Sequence, residues 1–126
     1  MSALGEIGVP RLENFSAQIT PPATVQLVGV IAIPDPGRVL GTFFAALHRS
    51  VTADGLPEVS VDVRHLTFVN SSAIRLFVDW ATWVRNASPA ESYVIRFRTD
   101  RRITWQRTSF SVLQSLAPGA IVIDSE

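Results

Sequence analysis

Asn70, Ser71 and Ser72 stand in a row directly after Leu66-Thr67-Phe68-Val69, and they are the densest chemistry in this sequence. At the start of a helix they would lie where unpaired backbone N–H groups and the positive end of the helix dipole converge. Two readings follow. Helix capping alone would explain an Asn or a Ser there. Two hydroxyls after a capable Asn exceed what capping needs, and a phosphate on Ser71 would meet free N–H groups and a favourable dipole. The other candidates are weaker. His48 and His65 are isolated, with neither an i+4 partner nor a carboxylate pair of the kind zinc hydrolases use, so no metal site is expected. Arg96, Arg98, Arg101 and Arg102 form the one local basic concentration. They read as a solvated strand end or as a contact for phosphate or an acidic partner. Trp105 beside them could stack a base, but its spacing to Val112 and Leu116 assigns it to a core. No G-x-G-x-x-G, P-loop or G-x-S-x-G occurs and the acidic residues are spread singly, so neither a cofactor nor a catalytic group is expected.

The bulk composition bounds the rest. A chain of 126 residues has room for one domain, and 47% apolar residues suffice for a packed core. Eleven basic residues, all Arg, cancel eleven acidic ones, which removes a whole-molecule attraction to nucleic acid or anionic membrane. The absence of Cys excludes disulfides and thiolate chemistry. No apolar run approaches the roughly 18 residues of a membrane span. Residues 1–10 carry Glu6 and no positively charged start, so a secretory leader is not expected and the cytoplasm is the expected compartment.

Elements must then position the candidates. Residues 1–13 mix Gly, Pro and charge without period and read as a loose lead-in to a domain over 14–126. Phe15, Ala17 and Ile19 alternate in a first strand closed by Pro21-Pro22. Residues 24–33 form a second, with Gly29 marking a bulge or a close approach. Asp35 and Pro36 offer a cap and first position for a helix carrying Val39, Leu40, Phe43, Phe44 and Leu47 out to about Arg49. Val59, Val61 and Val63 alternate in a strand of about five residues. A second helix runs from about Ser72 to Arg85. Tyr93, Ile95 and Phe97 make a fourth strand. Residues 104–116 form a third helix with Trp105, Ser109, Val112, Leu113 and Leu116 on its inner side, and residues 120–123 a last strand. The order β-β-α-β-α-β-α-β predicts an α/β domain with a mixed, mostly parallel sheet and crossover helices.

The second helix is apolar on two sides. Ile74, Phe77, Val78, Ala81 and Val84 share one broad face, while Leu76, Trp80 and Trp83 form a separate stripe about 130° away at 100° per residue. Arg75, Asp79 and Thr82 make a polar strip. The second apolar stripe either packs on a neighbouring helix or offers Trp anchors to a partner.

The stretch Val61-Asp62-Val63, then Leu66 through Leu76 (LTFVNSSAIRL), resembles the signature of the STAS family, which includes anti-sigma-factor antagonists and the cytoplasmic tails of sulfate transporters. In that signature an apolar-Asp-apolar strand leads through a short link to Asp-Ser-Ser/Thr-Gly-Leu at a helix start. Leu27-Val28-Gly29 resembles the family's L-x-G strand, and residues 24–123 follow its order of elements. The resemblance implies a bacterial regulatory domain that docks on a protein partner, a serine kinase that is also an anti-sigma factor. Ser71 matches the phospho-acceptor whose modification blocks docking. The sequence departs in Asn70 for Asp and Ala73 for Gly, and it stops before the family's usual final helix.

The expected function is therefore protein binding without catalysis. Asn70, Ser71, Ser72, Arg75, Leu76, Asp79, Trp80 and Trp83 are its candidate contact residues. A non-phosphorylated STAS subunit of a larger machine, such as a lipid-transport ATPase or a signalling scaffold, is the alternative. A homodimer contact stays open as a further partner; nucleic acid and membrane insertion are not expected.

Overall fold

The computed structural model describes residues 8–12, 14–20 and 23–125. Among them the chain forms strands β1 (Arg11–Leu12), β2 (Phe15–Thr20), β3 (Thr24–Ile31), β4 (Glu58–Val69), β5 (Val94–Thr99) and β6 (Ile121–Ser125). The helices are α1 (Leu40–Asp54), α2 (Ser71–Asn86) and α3 (Thr104–Leu116). The α/β class, the mixed sheet and the crossover helices are as expected from the sequence. Strand order in space equals order in sequence, β1 to β6, with β1/β2/β3 antiparallel and β3 to β6 parallel.

That order has a consequence for packing. Three parallel crossovers that step the same way across a sheet place their helices on the same face, given one handedness. Ring contacts bear this out: Phe44 of α1, Phe77 of α2, Phe110 of α3 and Phe97 of β5 form one cluster, with centroids 4.6–6.0 Å apart along its chain of contacts. Val25, Leu27 and Ile31 of β3 and Val59, Val61 and Val63 of β4 complete the core under the helices. Among the described residues no helix lies over the opposite sheet face. Its residues include Ser16, Gln18, Gln26, Ser60, Arg64, Arg96 and Arg98, all at least partly accessible.

α2 lies between α1 and α3, in contact with both. This explains its two apolar sides. Its buried residues are Ala73, Phe77, Trp80, Ala81 and Val84, so the core face is turned toward the Trp80 side relative to the sequence expectation. Leu76 lies against Gly41 of α1, and Trp83 meets His48 of α1 at 5.7 Å between rings. The side-chain stripe expected to face either a helix or a partner faces α1.

Several boundaries differ from expectation for physical reasons. α1 extends to Asp54 because Val51 completes its buried face, and Gly55 then stops it at φ 64°. Asp35 does not cap α1: Pro36 begins a 3₁₀ turn, Pro36–Arg38, and α1 starts at Leu40 without a side-chain cap. In α3 the buried positions are Gln106, Phe110 and Leu113, while Val112, assigned to its core by the sequence, is exposed. A polar residue at the first core position hides the true i, i+4, i+7 pattern. Arg11–Leu12 pairs with β2 although residues 1–13 read as unstructured. Residues 1–7, Glu13, Pro21-Pro22 and Glu126 lie outside the described residues, and with them most of the expected lead-in and the expected Pro-Pro turn.

β4 differs most. It spans twelve residues, not about five. Its pairing with β3 runs Gln26 to Asp62 but Val28 to His65, then Gly29 to Leu66 but Val30 to Phe68, so β4 carries an extra residue at two places. Each bulge breaks the period-2 alternation by which a strand is read in sequence. Gly29 is the partner of this irregularity. At φ 111° it approaches Asn14 so closely that a Cβ there would fall 2.0 Å from the Asn14 carbonyl oxygen, so no other residue fits.

Candidate functional site

The β4–α2 junction is built around Asn70. Its Oδ1 accepts from the Ala73 N–H at 2.9 Å, capping α2, and its Nδ2 donates to the Ile33 carbonyl at 2.8 Å. An Asp could make the first bond but not the second, because a carboxylate has no N–H to donate. Asn70 therefore ties the β3–α1 connection to the helix start. Its backbone N–H is also used, donating to Ile31 O at 2.9 Å.

With the cap complete, Ser71 and Ser72 have no structural task. Both are exposed, and neither hydroxyl has a hydrogen-bond partner among the described residues. They occupy the first two helical positions, whose N–H groups have no intrahelical acceptor. One turn on, Arg75 is exposed and Asp79 partly so, continuing the outer strip of α2. These residues form one accessible surface: Ser71, Ser72, Arg75 and Asp79.

The remaining candidates lie elsewhere. Trp80 is 0% exposed, stacks on Phe44 at 4.9 Å and donates from Nε1 to the Tyr93 hydroxyl at 2.8 Å. Burial removes it from any contact surface of the folded domain. Leu76 and Trp83 are half-buried against α1. Trp83 also lines a cavity of about 380 Å³ with Ala45, His48, Arg49, Thr52 and Glu91, well down the helices from Ser71.

The basic concentration splits into parts. Arg96 is neutralised by Glu58 (3.1 Å) and Asp124 (3.2 Å) on the open sheet face. Arg102 clamps Asp100 at 2.8 Å, and those hydrogen bonds hold the Asp100 carboxyl down to about 2. Arg64 likewise grips Asp62, mainly through side-chain hydrogen bonds that keep its carboxyl below the usual range. Arg101 is exposed.

Neither histidine joins a cluster. His48 Nδ1 lies 2.8 Å from the Tyr93 hydroxyl. Burial lowers the His48 pKa and pushes the Tyr93 hydroxyl up. His65 is exposed on β4. No group of three or more His, Asp or Glu able to hold a metal ion occurs among the described residues.

Two residues of α3 organise this end of the molecule, and sequence reasoning passed over the first of them. Gln106 is 0% exposed and fully bonded: Nε2 donates to Val63 O (2.6 Å) and Leu66 O (2.9 Å), and Oε1 accepts from the Asp100 N–H (2.9 Å). Trp105, expected in the core, is only partly buried, and its Nε1 donates to Thr67 O at 2.9 Å. The one sequence signal was a Gln at i−4 and i−7 from Phe110 and Leu113.

No family model matches the sequence, and no curated protein sequence does either. Among solved structures, the chain is similar to a chain in the crystal structure of the diguanylate cyclase SiaD in complex with its activator SiaC from Pseudomonas aeruginosa. The TM-score is 0.68 at 15% identity, over 93% of this chain and 96% of that one. It is equally similar to SiaC of Pseudomonas aeruginosa, with TM-score 0.67 at 15% identity over 93% and 95% of the two chains. At this identity the likeness is one of fold. Among the described residues no helix is long and apolar enough to cross a membrane.

Proposed function

We propose that this chain is a non-catalytic regulatory domain that works in the cytoplasm by docking on a partner protein. Its contact surface is the Asn70–Ser72 corner with Arg75 and Asp79 on the outer strip of α2. The reading is supported by a similar fold being named as an activator bound to the enzyme it activates. In finer form, the chain is of the anti-sigma-factor-antagonist type, docks on a serine kinase or anti-sigma partner, and is released by phosphorylation of Ser71.

One observation carries that finer form. Asn70 completes the cap of α2 at the Ala73 N–H, so both serine hydroxyls are free and the N–H groups of Ser71 and Ser72 have no intrahelical acceptor. A phosphate on Ser71 would be held by those donors and by the helix dipole without unfolding the helix. In a packed contact the same dianion would repel or strip an acidic or apolar partner surface.

A second reading is favoured by the bond from Asn70 Nδ2 to Ile33 O. It fixes the corner in one conformation, as suits a constitutive subunit of a larger complex that needs no switch.

Affinity capture from the native cell lysate with wild-type, Ser71→Ala and Ser71→Asp baits tests both. A partner retained by the first two and lost by Ser71→Asp is the expected result. A partner held equally by all three makes Ser71 a bystander and the domain a constitutive subunit. Absence of any specific partner overturns the docking reading altogether.

A further inference from the structure

The second halves of α1 and α2 frame the cavity of about 380 Å³ beside Trp83. Ala45, His48 and Arg49 reach it from α1, because positions three and four apart share a helix face. Trp83 and Ala87 reach it from the end of α2 by the same spacing. The chain then turns back: the Glu91 N–H donates to Ser88 O at 2.9 Å, and Ser88 Oγ donates to Glu91 Oε1 at 3.3 Å. This turn returns the Glu91 carboxylate to the cavity and leads the chain on to Tyr93, whose hydroxyl meets His48.

The polar lining is set in advance. Tyr93 is buried and its oxygen accepts from Trp80 Nε1, so its own proton goes to His48 Nδ1. The other ring nitrogen, Nε2, therefore carries a proton, and it has no partner among the described residues. A half-buried N–H donor is thus held at the cavity in one tautomer. Arg49 and Glu91 add one charge of each sign, and neither forms an ion pair among the described residues. Both lie within reach of the imidazole: burial lowers the His48 pKa most, Glu91 opposes that shift and Arg49 assists it. Trp83, with its ring 5.7 Å from that of His48, supplies apolar surface together with Ala45 and Ala87.

We infer that this cavity binds a small zwitterion, a free α-amino acid with an aromatic or apolar side chain. Its carboxylate takes the His48 Nε2 proton donor and the Arg49 guanidinium, its ammonium group takes the Glu91 carboxylate, and its side chain packs on Trp83. The lining selects against the neighbouring classes. A simple anion meets the Glu91 carboxylate with nothing to offer it, and a simple cation meets Arg49 and a ring N–H with nothing to accept from them. A cavity of about 380 Å³ is near the small end of the roughly 300–1,000 Å³ of ligand sites, which suits one amino acid and not a dinucleotide. The site is at the opposite end of α2 from the Asn70–Ser72 corner, so it stands or falls independently of the docking function.

The test is a titration of the ¹⁵N-labelled chain with L-phenylalanine, followed by amide and indole resonances. The expected result is saturable movement confined to residues 45–52, 83–93 and the Trp83 indole, with a Kd on the order of 1 mM or tighter. Two analogues each lack one charge: 3-phenylpropionate has no ammonium group and 2-phenylethylamine has no carboxylate. Each should bind roughly threefold to fivefold more weakly, the scale of one exposed charge contact. Glycine, which has no ring to set against Trp83, should also bind more weakly. Two variants then assign the contacts, and both change exposed side chains that the core does not need. Glu91→Gln should remove most of the preference over 3-phenylpropionate, and Arg49→Gln most of the preference over 2-phenylethylamine. Equal binding of all three phenyl ligands, tighter binding of either singly charged one, or preferences unchanged in the variants would each overturn the inference. So would shifts scattered over the surface, or a response to L-phenylalanine that never saturates.

Discussion

Two polar seams run through this domain, and they are built for different ends. Between α1 and α2, Trp80, Tyr93 and His48 form a short relay behind stacked rings. Between β4 and α3, Gln106 and Trp105 bond to backbone carbonyls of the part of β4 that runs past the end of β5 and carries its bulges. The first seam spends its donors on its own side chains and shows nothing but a shallow cavity to solvent. The second spends them on holding an irregular backbone, and what that backbone shows to solvent is Phe68 and His65. A buried hydrogen-bonded group is expected in either place. The difference lies in what each arrangement fixes: side-chain packing in one, surface shape in the other.

Removing the centre of each seam should therefore have different signatures. Trp80→Ala empties the largest fully buried side chain and leaves the Tyr93 hydroxyl without its donor. A loss of about 3–5 kcal/mol in unfolding free energy is expected from chemical denaturation. Partner binding by the fraction still folded should stay near wild type. Gln106→Leu strands the carbonyls of Val63 and Leu66 and the N–H of Asp100. Partial access of water to this end of β4 softens the penalty, and about 2–4 kcal/mol is expected. Its distinctive sign is local. Amide exchange along residues 63–69 should quicken more than in the rest of the sheet, and the corner around Phe68 should lose its order. Equal effects of both substitutions on that corner would erase the distinction between the seams.

The two seams also differ in how far the sequence disclosed them. The α1–α2 packing was within reach: residues 76, 80 and 83 form a stripe by helical spacing, and a stripe beside a core face must pack on something. Which neighbour filled it could not be read, because that depends on α2 lying between two helices. The cap residue and the free serines were legible because helix starts are local chemistry. The length of β4 was not. Two extra residues shift its alternation twice, and a strand with Leu66 and Val69 inside but His65 and Phe68 outside has no single period to detect. Gln106 was hidden for the opposite reason. Read alone, a Gln is surface, and only the β4 carbonyls beyond the end of β5 make it a core residue.

The smallest effect concerns pH at the first seam. Trp80 Nε1 donates to the Tyr93 oxygen, so the hydroxyl proton is directed to His48 Nδ1, 2.8 Å away. His48 is then neutral, with its proton on Nε2. Burial lowers its pKa below the ordinary value of 6.5, opposed by Glu91 and assisted by Arg49. The unfolded chain therefore takes up this proton before the folded one. The stabilisation from neutral His48 is complete above 6.5 and falls away as pH drops from there through the lower, folded value. The carboxylates stay ionised in both states over most of that interval, so they add little slope to it. The midpoint of thermal unfolding should accordingly decline between about pH 7.5 and 5.5, by less than either substitution above costs. In His48→Gln the decline should shrink, because the imidazole whose protonation burial opposes is gone. An identical decline in both proteins would show that His48 is not held neutral by Tyr93, and that the α1–α2 seam is not the closed relay that sets it apart from the one at β4.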